Sequence, residues 1–222
     1  MSVGVIVPAG GAGRRMGSRI EKQFLKIRKR SILDITLSKF QTHPLVKEIV
    51  VVLPEKRLSA ARGLIRRFSK ITSVVAGGRM RTQSVINGFE ALSQKHCVVL
   101  VHDAVRPFID RQTITRTIRA AKRHGAVTVA VPVKDTIKIV HGSSVLGSPN
   151  RKPLWHTQTP QGFRYAVLKE CLAFAADKKA YDTDECQLAE KLKKDVRVVM
   201  GSYLNFKITA PEDLLLAAAI RG

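Results

Sequence analysis

Residues 3–16 are VGVIVPAGGAGRRM. The β-branched run at 3–8 is typical of a strand buried on both faces, and a glycine-rich turn ends it. Glycines let the backbone approach a ligand closely, and the amide groups of such a turn can bind an anion. Arg14, Arg15 and Lys22 add positive charge beside the turn. The stretch therefore predicts the first strand of an α/β sheet with a phosphate-binding turn at its end.

Two common phosphate-binding motifs do not match this turn. A Walker A loop needs a Lys-Ser or Lys-Thr pair, and none follows Gly17. The dinucleotide fingerprint needs Gly or Ala where this chain has Met16. The remaining alternative is a simple tight turn from strand to helix, but the adjacent basic residues favour phosphate binding.

The rest of the chain alternates short β-branched runs with longer amphipathic stretches. Predicted strands lie at 48–53, 71–76, 98–102, 126–132 and 196–200. Predicted helices lie at 58–68, 82–92, 113–123, 165–176, 184–193 and 211–220. This order predicts an α/β fold with a mostly parallel sheet and helices on both faces. Ligands of such sheets bind at the carboxyl ends of the strands.

Residues 133–160 interrupt the alternation and predict a projecting β-arm. Residues 135–140 alternate like a strand, 141–153 are rich in Gly, Ser and Pro, and 155–159 return to the body. A disordered surface loop is the alternative. Trp155, expected to be buried, and the alternation on both sides favour an arm that packs against another subunit. With no repeat or linker in sight, 1–222 is predicted to be a single domain.

Residues after the third and fourth predicted strands are candidate ligand contacts. Gly78 opens a helix with backbone donors beside it, and Ser84 could donate to a base or ribose, or simply cap the helix. Asp103 is a natural Mg²⁺ ligand together with substrate phosphates, and Arg106 could pair with it or with an anion. A purely structural Asp–Arg pair is the alternative.

Two further residues at strand ends are less distinctive. His102 is expected to be a hydrogen-bonded core histidine and receives no role. Lys207 lies just before Thr209, which is predicted to cap the last helix, and is by itself one lysine among many.

The composition excludes several classes of protein. The chain is 45% hydrophobic, which excludes intrinsic disorder, and its apolar runs are too short to span a membrane. The first 13 residues lack a basic start, so no signal peptide is predicted. Three widely spaced cysteines suggest reduced thiols and a cytoplasmic location. No zinc-binding spacing or nucleophile–base motif occurs.

The net charge of the 222 residues is +22, which predicts an anionic partner. Glycine-rich turns, basic residues and one candidate metal aspartate suit phosphoryl or nucleotidyl transfer, where catalysis is mostly positioning and charge neutralisation. Most other cations fall on predicted helix faces, where solvation is their expected role; examples are Arg57, Arg62, Arg66, Arg67, Lys193 and Lys194.

Seven short motifs, taken in order, resemble those of the 2-C-methyl-D-erythritol 4-phosphate cytidylyltransferase family. They lie at 8–16 with 22–24, 77–88, 101–107, 132–138, 155–163, 183–185 and 205–214. The resemblance implies a single-domain Rossmann-like nucleotidyltransferase that forms a homodimer through a swapped β-arm. It also implies an Mg²⁺-dependent reaction in isoprenoid precursor synthesis, in which CTP and methylerythritol phosphate give CDP-methylerythritol and pyrophosphate.

The resemblance also implies roles for individual residues. Matches to nucleotide-binding positions are Pro8, Ala9, Gly10, Gly11, Gly13, Gly78 and Ser84. Matches to catalytic positions are Arg15 and Lys22, which stabilise the transition state, together with Arg151 and Lys207. Matches to acceptor-binding positions are Asp103, which is also the expected Mg²⁺ ligand, Arg106, Thr136, Arg151, Thr159, Thr183 and Lys207.

Two departures and two alternatives accompany the resemblance. Gly10 stands where the family usually has Ala, and Arg79 stands where some relatives are acidic. A ribitol-5-phosphate cytidylyltransferase would share most of the motifs. A nucleic-acid-binding module would suit the charge, but aromatic residues are only 5% and no recognition motif occurs. Neither a nucleic acid nor a membrane is therefore an expected partner.

Overall fold

A seven-stranded sheet forms the centre of the computed structural model, which describes residues 2–10, 21–93, 96–179 and 184–220. The strands are β1 Val3–Pro8, β2 Lys26–Ile27, β3 Arg30–Ser31, β4 Val46–Leu53, β5 Ile71–Ala76, β6 Val98–Val101, β7 Ala126–Pro132, β8 Ile139–His141, β9 Ser144–Gly147, β10 Trp155–Arg164 and β11 Val196–Met200. The order in the central sheet is β11-β7-β10-β6-β1-β4-β5, while β2–β3 and β8–β9 are separate antiparallel pairs.

The central sheet is mostly parallel, as predicted. β1 pairs in parallel with β4 and β6, β4 with β5, and β7 with β11. Only β10, among the described strands of this sheet, runs antiparallel to its neighbours β6 and β7. The carboxyl ends of the parallel strands therefore lie at one edge, beside the start of β10.

Helices cover both faces of the sheet, which confirms the predicted layers. The α-helices are α1 Ile32–Gln41, α2 Ala61–Arg67, α3 Arg81–Glu90, α4 Arg111–His124, α5 Tyr165–Lys178, α6 Glu185–Lys191 and α7 Pro211–Ile220. Side chains alternate along β1: Val5 and Val7 pack in a core with α1, α2 and α4, whereas Ile6 packs in a core with α3, α5 and α6. Two faces buried against helices explain the continuous apolar runs of the strands.

The segment after β7 differs from the prediction. Trp155 and the residues that follow belong to β10, which pairs with β7 from Trp155 opposite Pro132 to Gln158 opposite Val129. Trp155 was expected to be buried, but 38% of its surface is exposed. β10 lies inside the central sheet, between β7 and β6, but its polar sequence lacks the apolar run by which the other strands of this sheet were recognised. The part that leaves the sheet is therefore 133–154, and its hairpin is β8–β9.

The last helix begins with a different cap from the one predicted. Thr209 precedes α7 by two residues, and its backbone N and Oγ1 donate to the Asp213 carboxylate at 2.7 and 3.0 Å. The Ala210 backbone N donates to the same oxygen at 2.9 Å. A carboxylate in the first turn thus satisfies the backbone donors of Thr209 and Ala210, and the Thr209 hydroxyl donates to that carboxylate instead of accepting from a helix N–H as an N-cap would.

Two other predictions concern membranes and cysteines. In the part of the chain that the structure describes, no helix combines the length and apolar character needed to cross a bilayer. Cys97, Cys171 and Cys186 are free thiols.

Candidate active site

A cavity of about 290 Å³ opens at the carboxyl edge of the sheet, where ligands were predicted to bind. Residues following β1, β5 and β6 line it, together with the 3₁₀ segment Lys22–Phe24 and the residues before α7. The lining residues are Pro8, Ala9, Gly10, Lys22, Gln23, Gly78, Arg79, Met80, Arg81, Ser84, Asp103, Ala104, Val105 and Lys207. The candidate ligand contacts predicted after three different strands, β1, β5 and β6, therefore lie in one cavity.

Gln23 holds the segment that brings Lys22 to the cavity. Its side chain is buried, and Nε2 donates to the backbone O of Ala9 at 2.5 Å. Ala9 is fixed in turn, because its N donates to the Val52 O at 2.8 Å. The turn after β1 and the Lys22 segment are thus tied together. The motif at 22–24 does not reveal this role of Gln23, because burial of an amide side chain cannot be inferred from a short motif.

Glu21, beside Lys22, anchors the same segment from the other side. Its buried carboxylate lies 2.7 Å from Nη2 of Arg57 and 2.8 Å from Nζ of Lys56. The hydrogen bond from Arg57, and to a smaller extent the one from Lys56, lowers the pKa of Glu21 from 4.5 to about 2. Arg57 is predicted above to be only solvated. In the structure it forms an ion pair with Glu21, the residue before the cavity-lining Lys22.

Ser84 fixes the turn after β5. Its hydroxyl accepts from the Gly78 N at 3.1 Å and donates to the Met80 O at 3.2 Å, and the side chain is buried. A Cβ at Gly78 would collide with Cβ of Gln83, so this turn requires glycine. The Ser84 hydroxyl thus holds the backbone of the turn, and the same side chain also lines the cavity.

Asp103 lies at the centre of the positive charge. Its Oδ2 is 2.9 Å from Nζ of Lys207 and 3.4 Å from Nε of Arg106, and its Oδ1 is 3.4 Å from Nη2 of Arg81. Burial alone would raise the pKa of Asp103, but Arg81, Lys207 and Arg106 together hold that pKa well below its ordinary value. Asp103 is consequently a carboxylate, and the predicted Asp103–Arg106 pair is confirmed.

A buried hydrogen-bond network supports Asp103 from behind. The Asp103 N donates to Oγ1 of Thr159 at 3.1 Å, and Thr159 Oγ1 also lies 3.1 Å from Nδ1 of His102. His102 Nε2 contacts the Arg106 O at 3.1 Å, so this nitrogen carries the proton and Nδ1 accepts from Thr159. Burial lowers the pKa of His102 to about 4, which confirms a neutral core histidine.

Arg106 is directed inward as well as toward Asp103. Its Nη1 donates to the Asn205 O at 2.9 Å, and Asn205 Nδ2 donates to the Thr159 O at 2.8 Å. These bonds connect β6, β10 and the segment that carries Lys207. The network fixes the relative positions of Asp103 and Lys207.

Several predicted site residues do not line this cavity. Thr136 and Arg151 are exposed in the segment that leaves the sheet, where Arg151 Nη1 donates to the Lys134 O. Thr159 is buried behind Asp103, and Arg106, which pairs with Asp103, is likewise not among the lining residues. The remaining predicted residues, namely Gly11, Gly13, Arg15 and Thr183, and also Arg14, lie outside the described residues.

Arg81 also lines the cavity, although it is not among the site residues predicted from the sequence. It is the first residue of α3 and lies three residues after Gly78. The signal that could have found it is its position at a helix start immediately after a glycine turn, where side chains face the strand ends. One basic residue among 39 Lys and Arg did not stand out.

The donor set limits the kind of metal site that is possible here. The described residues contain no group of three or more His, Cys, Asp or Glu side chains that could enclose a metal ion. Asp103 is one ionised carboxylate at a cavity surrounded by cations. That arrangement fits Mg²⁺ held by one carboxylate and substrate phosphates, and does not fit an all-protein metal cage. The cations suit binding of phosphates, where they can neutralise charge that develops during phosphoryl-type transfer.

Comparisons with known proteins show which family the chain resembles. The family model of 2-C-methyl-D-erythritol 4-phosphate cytidylyltransferase matches residues 3–222. A cytidylyltransferase of that name from Geotalea uraniireducens is 44% identical, with 99% of this chain and 96% of the relative covered.

Solved structures of similar proteins agree as well. The 4-diphosphocytidyl-2C-methyl-D-erythritol synthase from Anaerococcus prevotii has a TM-score of 0.87 at 31% identity, covering 99% of this chain and 96% of its own. The Thermus thermophilus cytidylyltransferase has a TM-score of 0.83 at 35% identity, with 99% and 98% covered. This chain therefore belongs to the 2-C-methyl-D-erythritol 4-phosphate cytidylyltransferase family.

Proposed function

We propose that this protein transfers the cytidylyl group from CTP to 2-C-methyl-D-erythritol 4-phosphate, giving CDP-methylerythritol and pyrophosphate for isoprenoid precursor synthesis. The observation that carries the proposal is the cavity at the strand ends, where Lys22, Lys207 and a glycine turn converge in a chain that matches the family from end to end. The positive charge there suits two phosphorylated substrates.

The reaction requires charge neutralisation rather than a base. An oxygen of the acceptor phosphate attacks the α-phosphorus of CTP in line, a P–O bond forms, and the bond to the leaving pyrophosphate breaks. The nucleophile is already an anion, so no proton has to be removed, and the neutral, buried His102 takes no part. The barrier comes from bringing anions together, and Lys22 and Lys207 offset it by their charge.

Roles of other residues are part of the same proposal and rest on the family resemblance. Arg15 assists Lys22 at the α-phosphate, and Lys207 with Arg151 orients the attacking phosphate. Nucleotide contacts are assigned to Pro8, Ala9, Gly10, Gly11, Gly13, Gly78 and Ser84. Acceptor contacts are assigned to Asp103, Arg106, Thr136, Thr159 and Thr183.

Mg²⁺ is the proposed cofactor, with Asp103 as its protein ligand. The depressed pKa of Asp103 keeps a charged oxygen ligand available at the cavity. When bound, the ion would supply neutralisation of the phosphate charge. Lys207, 2.9 Å from the same carboxylate, contributes positive charge at this position from the chain itself.

We propose further that the protein is a single domain over 1–222 that acts as a homodimer in the cytoplasm. Support for the dimer is the β8–β9 hairpin, whose strands pair only with each other in the described structure and expose apolar side chains. Support for the location is the set of three free cysteines.

Pyrophosphate release from CTP tests the proposed activity. The purified protein is supplied with Mg²⁺ and either methylerythritol phosphate or ribitol 5-phosphate, and we expect turnover only with the first. Turnover with ribitol 5-phosphate alone would assign the chain to the other acceptor. Absence of turnover with either, combined with tight salt-dependent binding of nucleic acid, would reject the enzymatic proposal.

A further inference from the structure

A buried ion pair lies behind the cavity and joins the first residues of α3 and α6. Glu185 is fully buried, and Nη1 of Arg81 donates to its two carboxylate oxygens at 2.7 and 2.8 Å. A buried carboxylate is unfavourable unless it is paired and hydrogen-bonded. Burial raises the pKa of Glu185, and Arg81 opposes that rise. The pairing therefore fixes one edge of the Arg81 guanidinium.

The central sheet determines where Glu185 lies. Gln161 in β10 is fully buried, and its Oε1 accepts from the backbone N of Glu185 at 3.0 Å and from that of Cys186 at 3.3 Å. The start of α6 is thus tied to the strand next to β6, which precedes Asp103. Through Gln161 and Glu185, the sheet sets the position of the guanidinium.

The other edge of the guanidinium faces the cavity. The Arg81 side chain is 23% exposed, and its Nη2 lies 3.4 Å from Oδ1 of Asp103, farther than Nη1 lies from Glu185. Lys207 approaches the opposite oxygen, Oδ2, at 2.9 Å. Because Arg81 and Lys207 pair with different oxygens, the Asp103 carboxylate is held in one orientation. Its negative charge is paired with both cations.

We infer that Glu185 is a positioning residue for the reaction, because by anchoring Arg81 it leaves the Asp103 carboxylate available to Lys207. Without the charge of Glu185, Arg81 closes on Asp103, the other carboxylate within ion-pair distance of it among the described residues. The closer guanidinium then competes with Lys207 for the negative charge of Asp103, so Lys207 is held less firmly in the position from which it would align the attacking phosphate. The inference rests on the proposed function, since the effect is measured on its chemical step.

A double-mutant cycle tests this coupling. Glu185→Gln, Arg81→Gln and the double variant are compared by kcat and KM for CTP, with the thermal unfolding midpoint used to establish that each is folded. We expect Glu185→Gln to lower kcat at least tenfold while KM for CTP changes less than threefold. In the Arg81→Gln background, the same substitution should lower kcat by less than twofold.

Glu190→Gln is the matched control, because Glu190 is an exposed carboxylate on the same helix. Its kcat should stay within twofold of the wild type. Multiplicative losses in the cycle, or an equal loss in Glu190→Gln, would overturn the inference, since they indicate that α6 is merely destabilised. A change in KM for CTP with normal kcat would overturn it as well.

Arg81→Lys keeps the inference testable if Glu185→Gln does not fold. Lysine keeps the charge, but a single ammonium cannot bridge two carboxylates as the forked guanidinium does. We expect the same tenfold loss of kcat, and wild-type kcat in Arg81→Lys would reject the inference. Absence of turnover by the wild-type protein would reject the proposed function itself, whereas an active wild type with multiplicative losses rejects this inference alone.

Discussion

At the level of individual residues, Lys22 is a proposed catalytic group that lines the cavity. It reaches the cavity from a segment held by Gln23 against Ala9 and by Glu21 against Arg57. We expect Lys22→Ala to lower the rate of pyrophosphate release at least a hundredfold, because loss of one donor that stabilises transition-state charge typically adds about 3–4 kcal/mol to the barrier.

Lys26→Ala is the control for this prediction. Lys26 is an exposed lysine in β2, four residues away, and should leave the rate unchanged. A folded Lys22→Ala variant with nearly normal turnover would show that Lys22 is not catalytic.

Glu21 gives a prediction about pH. Its pKa is lowered from 4.5 to about 2 by Arg57 and Lys56, so the folded state binds the proton less tightly than the unfolded state. The resulting stability is fully present above pH 4.5 and is lost as the pH falls toward 2. Denaturant unfolding should show wild type more stable than Glu21→Gln at neutral pH, with a difference that shrinks over that window. A difference independent of pH would contradict it.

At the scale of elements, α3 lies unusually close to the sheet at Gly88. A Cβ there would lie 2.6 Å from Cγ2 of Ile6 and 2.9 Å from Cγ2 of Val52, and both side chains are fully buried. We expect Gly88→Ala to lower the free energy of unfolding by about 1–3 kcal/mol, because the surrounding core leaves these side chains little room to move.

Gly63 in α2 provides the matched substitution. A Cβ at this position meets nothing within 4 Å, so Gly63→Ala should stabilise the protein by up to about 1 kcal/mol through helix propensity. Denaturant unfolding measures both variants. Equal effects at the two glycines would mean that the close approach of α3 is unimportant for stability.

At the scale of the whole molecule, the β8–β9 hairpin extends from the body with exposed apolar side chains. Val145 and Leu146 are 59% and 67% exposed, and an isolated two-stranded hairpin is marginally stable in water. We expect replacement of both by Asp to convert the proposed dimer into monomers in sedimentation experiments and to lower turnover, because the hairpin is the proposed dimer contact and its segment carries Thr136 and Arg151, which are assigned to the acceptor. Ile65→Asp, an exposed apolar position on α2, should leave the dimer intact. A fully active monomer would contradict the proposed need for the dimer.

The net charge of +22 is distributed over the whole molecule rather than concentrated at the site. Several cations predicted to be only solvated form ion pairs, such as Arg67 with Asp34 at 3.0 Å and Lys194 with Glu170 at 2.7 Å. The cavity itself uses few of the basic residues, among them Lys22, Arg81 and Lys207. Nothing in the structure explains the remaining surplus.

Local sequence pattern is enough to define the layers of the fold and the edge of the sheet at which the site lies. The β-branched runs at β1, β5, β7 and β11 have the predicted bounds, because local hydrophobic pattern and turn residues suffice to define a doubly covered strand. Asp103 and the glycine turns could be located in advance, since parallel strands bring their carboxyl ends to one edge, whereas only the family resemblance singled out Lys207.

Which buried polar side chains pair with one another depends on the tertiary structure. β10 can lie inside the sheet despite its polar sequence, because its buried polar side chains find hydrogen-bond partners that are distant in the chain. Gln161, for example, accepts from the backbone at the start of α6. Arg81 and Glu185 lie 104 positions apart, so no local pattern could pair them. Burial and long-range hydrogen bonding, which a periodic pattern does not encode, place Arg81 beside Asp103 and Thr159 behind it.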